Sequence, residues 1–288
     1  MIKNILVALD GSEHARAALQ YALWIAERFR AALWGLHIID IIAIEGPFFQ
    51  DISGALGFEP YFDMSGKVRE ALHERGYLLL EEFTAVCHER SIPCETGLYT
   101  GIVANEICER ARTADLVVIG HRGVNERFST GLLGGTAESV TRKSPRPVFV
   151  SPTQFQPVAR PLLAYDGSPR ASAAMHGAAE VCATLNLPLT VVAVATREGD
   201  SEEKVLDEAR RYLSSYGVQP TCLSLVGHPY QRIIDCIKER GHDLLFIGAY
   251  GHSRIIEMVW AAPPNTSCAT PRVPYFSLVS RSCFESLS

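Results

Sequence analysis

The chain has 288 residues, 47% of them apolar and 20% charged, which is the balance of a globular protein with room for two domain-sized cores. The formal charge of −5 with no basic run argues against a broad nucleic-acid footprint. No apolar stretch reaches the roughly 20 residues of a membrane helix, so neither membrane nor nucleic acid is an expected partner.

Met1-Ile2-Lys3-Asn4 leads straight into a strand-like run, with no signal-peptide pattern, and a cytoplasmic location is expected. The run Ile5–Leu9 ends at Asp10-Gly11-Ser12. A helix follows, with Ala15, Ala18, Leu19, Ala22, Ile25, Ala26 and Phe29 on one stripe. Next come a strand over Ala32–Ile39, a long aromatic-rich stretch over Ile41–Lys67 and a helix over Val68–Arg90. The stretch 41–67 reads equally well as a lid or as a loop packed on its own domain. Strands over Pro93–Tyr99, Leu116–Ile119 and Pro147–Val150 alternate with helices over Val103–Arg112 and Leu133–Lys143.

Ser151–Pro157 reads as a linker, and then the pattern restarts. Leu162-Leu163-Ala164-Tyr165 leads to Asp166-Gly167-Ser168, and Asp166 stands 156 positions after Asp10. The helix stripe recurs as Ala171, Ala174, Met175, Ala178, Val181, Cys182 and Leu185. Ser12 and Ser168 suit N-caps, and Pro169 suits the first helical position. Segments Leu189–Ala195, Glu202–Tyr216, Gln219–Leu225, Tyr230–Glu239 and Asp243–Ile247 repeat the strand–helix order. Short apolar runs alternating with helices predict parallel sheets covered on both faces, with ligands held beyond the strands' carboxyl ends.

The chemistry-bearing residues sit at those ends. Asp10 and Asp166 can accept hydrogen bonds from a ribose or an adenine, or can merely shape the turn into the helix. Gly120-x2-Gly123 follows one buried strand, and Gly134-Gly135-Thr136 opens the next helix. Glycines let backbone N–H groups approach phosphate oxygens, and a helix N-terminus adds a favourable dipole. The eight cysteines form no C-x-x-C pair and read as reduced, mostly buried thiols. His121 and His252 flank the glycine turns; the solvent-facing reading is favoured over a role in slow hydrolysis.

With these motifs in place, both halves resemble the universal stress protein domain in tandem. The resemblance implies two five-stranded parallel α/β sheets of the adenine-nucleotide α-hydrolase-like, Rossmann-like type. It covers residues 1–151 and 158–260. It also implies ATP as the ligand, with Mg2+ accompanying the phosphates. Carried over by motif, Asp10 would contact the nucleoside and the Ile38 backbone the adenine. Gly120, Gly123, Gly134, Gly135 and Thr136 would wrap the ribose and phosphates. In the second half Asp166, Val194, Gly248 and Gly251 map in the same way. The family motif is G-x2-G-x9-G-[S/T]. Here ten residues, Val124–Leu133, separate Gly123 from Gly134, and Gly135 precedes Thr136.

The second motif breaks: Ala261 and Ala262 stand where Gly and Ser or Thr belong. Pro263, Pro264, Pro271 and Pro274 then interrupt the expected helix and strand. One base lost just after Val259 would account for this. The restored frame is compatible with Gly-Ser, then Arg-Asn-Ser-Pro-Arg-Pro-Val. Residues 261–288 are accordingly expected to be a disordered tail. The second half should lack its last helix and one sheet partner, and should bind nucleotide weakly. The expected function is a nucleotide-dependent stress-response regulator acting through a homodimer or an internal pseudo-dimer. Slow ATP hydrolysis or phosphoryl or nucleotidyl transfer on the same fold is one alternative. A nucleotide-free interaction module is the other.

Overall fold

The structure, a computed structural model, describes residues 1–41, 58–123, 135–197, 202–248 and 274–278. The first half contains strands β1 (Asn4–Ala8), β2 (Ala32–Asp40), β3 (Cys94–Gly101), β4 (Leu116–Gly120) and β5 (Val148–Ser151). Its helices are α1 (Glu13–Phe29), α2 (Phe58–Glu89), α3 (Val103–Arg110) and α4 (Gly135–Lys143). The second half contains β6 (Pro161–Ala164), β7 (Thr190–Ala195), β8 (Thr221–Val226), β9 (Leu244–Gly248) and β10 (Tyr275–Leu278). Its helices are α5 (Pro169–Leu185), α6 (Glu203–Ser214) and α7 (Pro229–Arg240).

Strands run in the order β3-β2-β1-β4-β5-β10-β9-β6-β7-β8. All pairings within a half are parallel, while β5 and β10 pair antiparallel and join the halves into one sheet. α1, α2, α5 and α6 cover one face over a core containing Leu23, Phe83, Met175 and Leu213. α3, α4 and α7 cover the other over Ile107, Val140 and Ile237. Each such side chain contributes about 1.5–3 kcal/mol by leaving water. The linker is pinned: Tyr21 packs against Phe149 and Phe155 at 5.0 and 4.9 Å, and its hydroxyl accepts the Gln156 N–H at 3.2 Å. Across the halves, Glu180 Oε1 accepts the Ile2 N–H at 2.7 Å.

Two expectations are corrected. α2 begins at Phe58, ten residues before Val68. Pro60 lies in its first turn, where the backbone N–H groups have no intrahelical acceptor, so proline removes no bond there. The stretch 42–57 lies outside the described residues.

The second correction concerns the expected missing sheet partner: β10 occupies the place of a fifth strand. Pro274 precedes the strand, and its carbonyl accepts the Leu245 N–H at 3.0 Å. Pro147 accepts the Val117 N–H at 2.9 Å in the same way. Two open strand edges, β5 and β9, supply partners from both sides, and this outweighs the local proline content. Among the described residues the second half has no counterpart of α4, so it is the less complete of the two. The rest of 261–288 lies outside the described residues.

Candidate functional site

The order of strands reverses at β1, and a cavity of about 310 Å³ opens there, beyond the carboxyl ends of β1, β2 and β4. It is built first by the Asp-Gly-Ser turn. Asp10 Oδ1 accepts the Ser12 N–H at 2.9 Å, and Ser12 Oγ caps α1 by accepting the Ala15 N–H at 3.1 Å. Gly11 has φ of 80°, a conformation that side chains disfavour. The second half builds the same turn: Asp166 Oδ1 accepts from Ser168 at 3.0 Å, Ser168 caps α5 at 3.2 Å, and Gly167 has φ of 74°.

Of the residues expected from sequence, Asp10, Ile38, Gly120, Gly123, Gly135 and Thr136 all line this one cavity. Gly134 and Gly251 lie outside the described residues. Asp166, Val194 and Gly248 sit at the corresponding strand ends of the second half. The glycines differ in what they do. A Cβ on Gly123 would stand 2.6 Å from Asp10 Oδ2, so this glycine lets the turn after β4 close onto the carboxylate. A Cβ on Gly120 would stand 2.7 Å from His14 Cβ, so this glycine admits the first turn of α1 against β4. Among the described residues a Cβ on Gly135 meets nothing within 4 Å, which leaves that side of the start of α4 clear of them.

The cavity also holds residues that the motif did not reveal. His37 Nδ1–H donates to the Leu9 carbonyl at 2.7 Å, and Gly76 of α2 makes room for its ring. Arg75 of α2 donates to the Asp10 carbonyl at 3.3 Å. Leu72, Val103 and Ile107 supply apolar wall, and Asp40 and Arg122 add charge of each sign. Only the fold brings these together; the one local hint is that Arg75 lies one helical turn before Leu79, which also faces Gly11.

His121 corrects another expectation. It is 1% exposed rather than solvent-facing, with its ring edge-on to His14 at 4.1 Å. Burial pushes the Cys182 and Cys87 thiols up to about 12 and Cys108 up to about 11, which disfavours their reactive thiolate form. Six described cysteines are free; Cys268 and Cys283 lie outside the described residues. Among the described residues no cluster of three or more His, Cys, Asp or Glu side chains could hold a metal, and no helix is long and apolar enough to cross a membrane.

Burial lowers the proton affinity of His37, only partly offset by its bond to Leu9. Burial likewise lowers that of His242, whose Nδ1–H donates to the Arg160 carbonyl at 3.0 Å. Both rings thus resist protonation in the folded chain, whereas in the unfolded chain they charge near pH ~6.5. The unfolded state binds more protons below that pH. Stability from these two sites is therefore complete above it and is lost as pH falls through the folded values. The unfolding midpoint should drop between pH 7.5 and pH 5. A His37→Asn, His242→Asn double variant should show a shallower drop. An equal slope in both proteins would exclude these two rings as the cause.

Residues 1–152 match the model of the Universal stress protein family. Universal stress protein Slr1230 of Synechocystis sp. is 28% identical over 267 residues, covering 90% of this chain and 93% of the relative. Universal stress protein MJ0531 of Methanocaldococcus jannaschii is 30% identical over 154 residues, 52% of this chain and 82% of the relative. The crystal structure of a universal stress protein from Archaeoglobus fulgidus superposes with a TM-score of 0.70 at 21% identity, covering 96% of each chain, a likeness of fold.

Proposed function

The chain belongs to the universal stress protein family, and from that premise we propose that its first half binds an adenine nucleotide, ATP foremost, and that the protein works as a nucleotide-dependent regulator. The observation that carries this is the single cavity in which Asp10, Ile38, Gly123, Gly135 and Thr136 meet. The residues fit the ligand by their chemistry. A carboxylate sits close against Gly123, whose added Cβ would stand 2.6 Å from Asp10 Oδ2, and the N-terminus of α4, whose first N–H groups have no intrahelical acceptor, suits anions. Asp10 would take the ribose or base, the Ile38 backbone the adenine, and Gly123, Gly135 and Thr136 the phosphates. Mg2+ would arrive with the phosphates. A cytoplasmic setting suits both the ligand and the free thiols.

The antiparallel β5–β10 pairing supports an internal pseudo-dimer, in which each half presents a strand edge to the other. Asp166, Val194 and Gly248 would form a second, weaker nucleotide site. The domains would be 1–151 and 158–260, with 261–288 translated out of frame. The restored frame is compatible with Gly-Ser at 261–262 and Pro-Val-Leu-Leu at 274–277, the stretch where β10 forms. The neighbouring frame of the gene decides that point.

Purified protein, denatured and cleared, should release ATP, ADP or AMP. The emptied, refolded chain should bind ATP in calorimetry with one dominant site. Rapid turnover with a defined acceptor would favour the transferase alternative. No nucleotide released, and no thermal shift with ATP and Mg2+, would favour the interaction module.

A further inference from the structure

The cavity carries a cation that the glycine motif does not account for. Arg75 reaches over the Asp-Gly-Ser turn: its Nη2 lies 3.3 Å from the Asp10 carbonyl oxygen and 3.4 Å from where a Gly11 Cβ would stand. That is the β1–β2 side of the site, whereas Gly135 and Thr136 open α4 on the side of β4 and β5. Arg75 therefore stands on the Asp10 side of the cavity and not on the α4 side.

The walls around it suit a flat ring. α2 packs on one face of the sheet through Leu80 and Phe83, and α3 packs on the other through Ile107. Both helices overhang the carboxyl edge, so Leu72 and Arg75 form one side of a slot and Val103 and Ile107 the other. A guanidinium is planar and weakly hydrated, and it stacks on aromatic faces as readily as it pairs with anions. An apolar wall facing a planar cation offers a purine two compatible surfaces.

Among the described residues the device belongs to the first half. Leu80, Phe83 and Cys87 face the core from α2 as Leu206, Ala209 and Leu213 do from α6. By that alignment Arg75 corresponds to Ser201, and α6 starts only at Glu203, whereas α2 continues back to Phe58. The longer helix is what delivers the arginine.

We propose that Arg75 is a specificity-determining contact for the base and ribose of the nucleotide, its guanidinium lying on the purine rather than neutralising a phosphate. This rests on the nucleotide reading above. The test compares adenosine, AMP and ATP binding to the full chain and to its Arg75→Ala and Arg75→Lys variants. Calorimetry serves for the tight ligands and displacement for the weak ones. Arg75 is exposed, so both variants should keep the unfolding midpoint of the parent. Arg75→Ala should weaken all three ligands by one common factor, about five- to thirty-fold, and Lys, which lacks the plane, should restore little of it. A loss that grows with the number of phosphates would overturn the assignment, as would unchanged affinity for all three. A parent chain that binds none of them would instead sink the nucleotide reading, and this assignment with it.

Discussion

Gly120→Ala is expected to destabilise the fold by about 1–3 kcal/mol, the usual cost of forcing a methyl group into a filled space. Gly135→Ala, fifteen positions on in the same motif, should leave stability unchanged. At Gly120 the added carbon would stand 2.7 Å from His14 Cβ, 2.8 Å from the His14 carbonyl carbon and 3.0 Å from its oxygen. These are backbone and near-backbone atoms of the first turn of α1. That turn is held by the Ser12 cap and by Ser151 Oγ, which donates to the His14 carbonyl at 3.3 Å. It cannot recede without giving up those bonds. At Gly135 no described residue lies within 4 Å. The second half repeats the arrangement, since a Cβ on Gly248 would meet the Arg170 carbonyl carbon at 2.7 Å. Urea or thermal unfolding of the two alanine variants measures the contrast. Each kcal/mol lost should lower the midpoint by roughly 2–4 °C in a domain of this size. Equal midpoints for Gly120→Ala and the parent would show that the helix yields freely.

That pair of glycines shows what local pattern could and could not say. The alternation of strand and helix was legible because buried strands and one-faced helices leave different periods in the sequence. The repeat at Asp10 and Asp166 was legible because the turn needs the same three residue types twice. The division of labour among the glycines was not. Gly120 meets a residue far earlier in the chain, and only the docking of α1 on β4 makes that contact. Arg75 and His37 escaped for the same reason: the packing of α2 on β2 and β3 brings Arg75 to the cavity and leaves room at Gly76 for the His37 ring. His121 looked like a turn residue and is buried because α1 brings His14 against it. The early start of α2 was hidden because 41–67 read as one long aromatic-rich loop or lid, although the first turn of a helix tolerates a proline such as Pro60. β10 was hidden by Pro271 and Pro274. Its formation depends on two open strand edges that exist only once both halves have folded.

Asp10→Asn should separate the two roles that one carboxylate can play at the end of β1. Oδ1 already accepts the Ser12 N–H at 2.9 Å, and an amide oxygen can keep that bond, so the turn and the α1 cap should survive. The amide removes the negative charge and turns one oxygen into a donor on the side facing Gly123, where Oδ2 lies 2.6 Å from a would-be Cβ. If that side takes a ribose hydroxyl or an adenine amino group, the lost charged hydrogen bond is worth about 1.5–3 kcal/mol, or roughly 10- to 100-fold in affinity. ATP binding should therefore weaken by that factor while the unfolding midpoint stays near that of the parent. Asp166→Asn makes the same chemical change on the same kind of turn, where Asp166 Oδ1 holds the Ser168 N–H at 3.0 Å. It should leave the dominant ATP affinity within about two-fold, because exchanges away from a contact rarely reach ~0.5 kcal/mol. Calorimetry on the two variants in parallel checks both halves of the claim. Undiminished ATP affinity in Asp10→Asn would reduce Asp10 to a turn former, its repetition at Asp166 then reflecting only the need to start a helix.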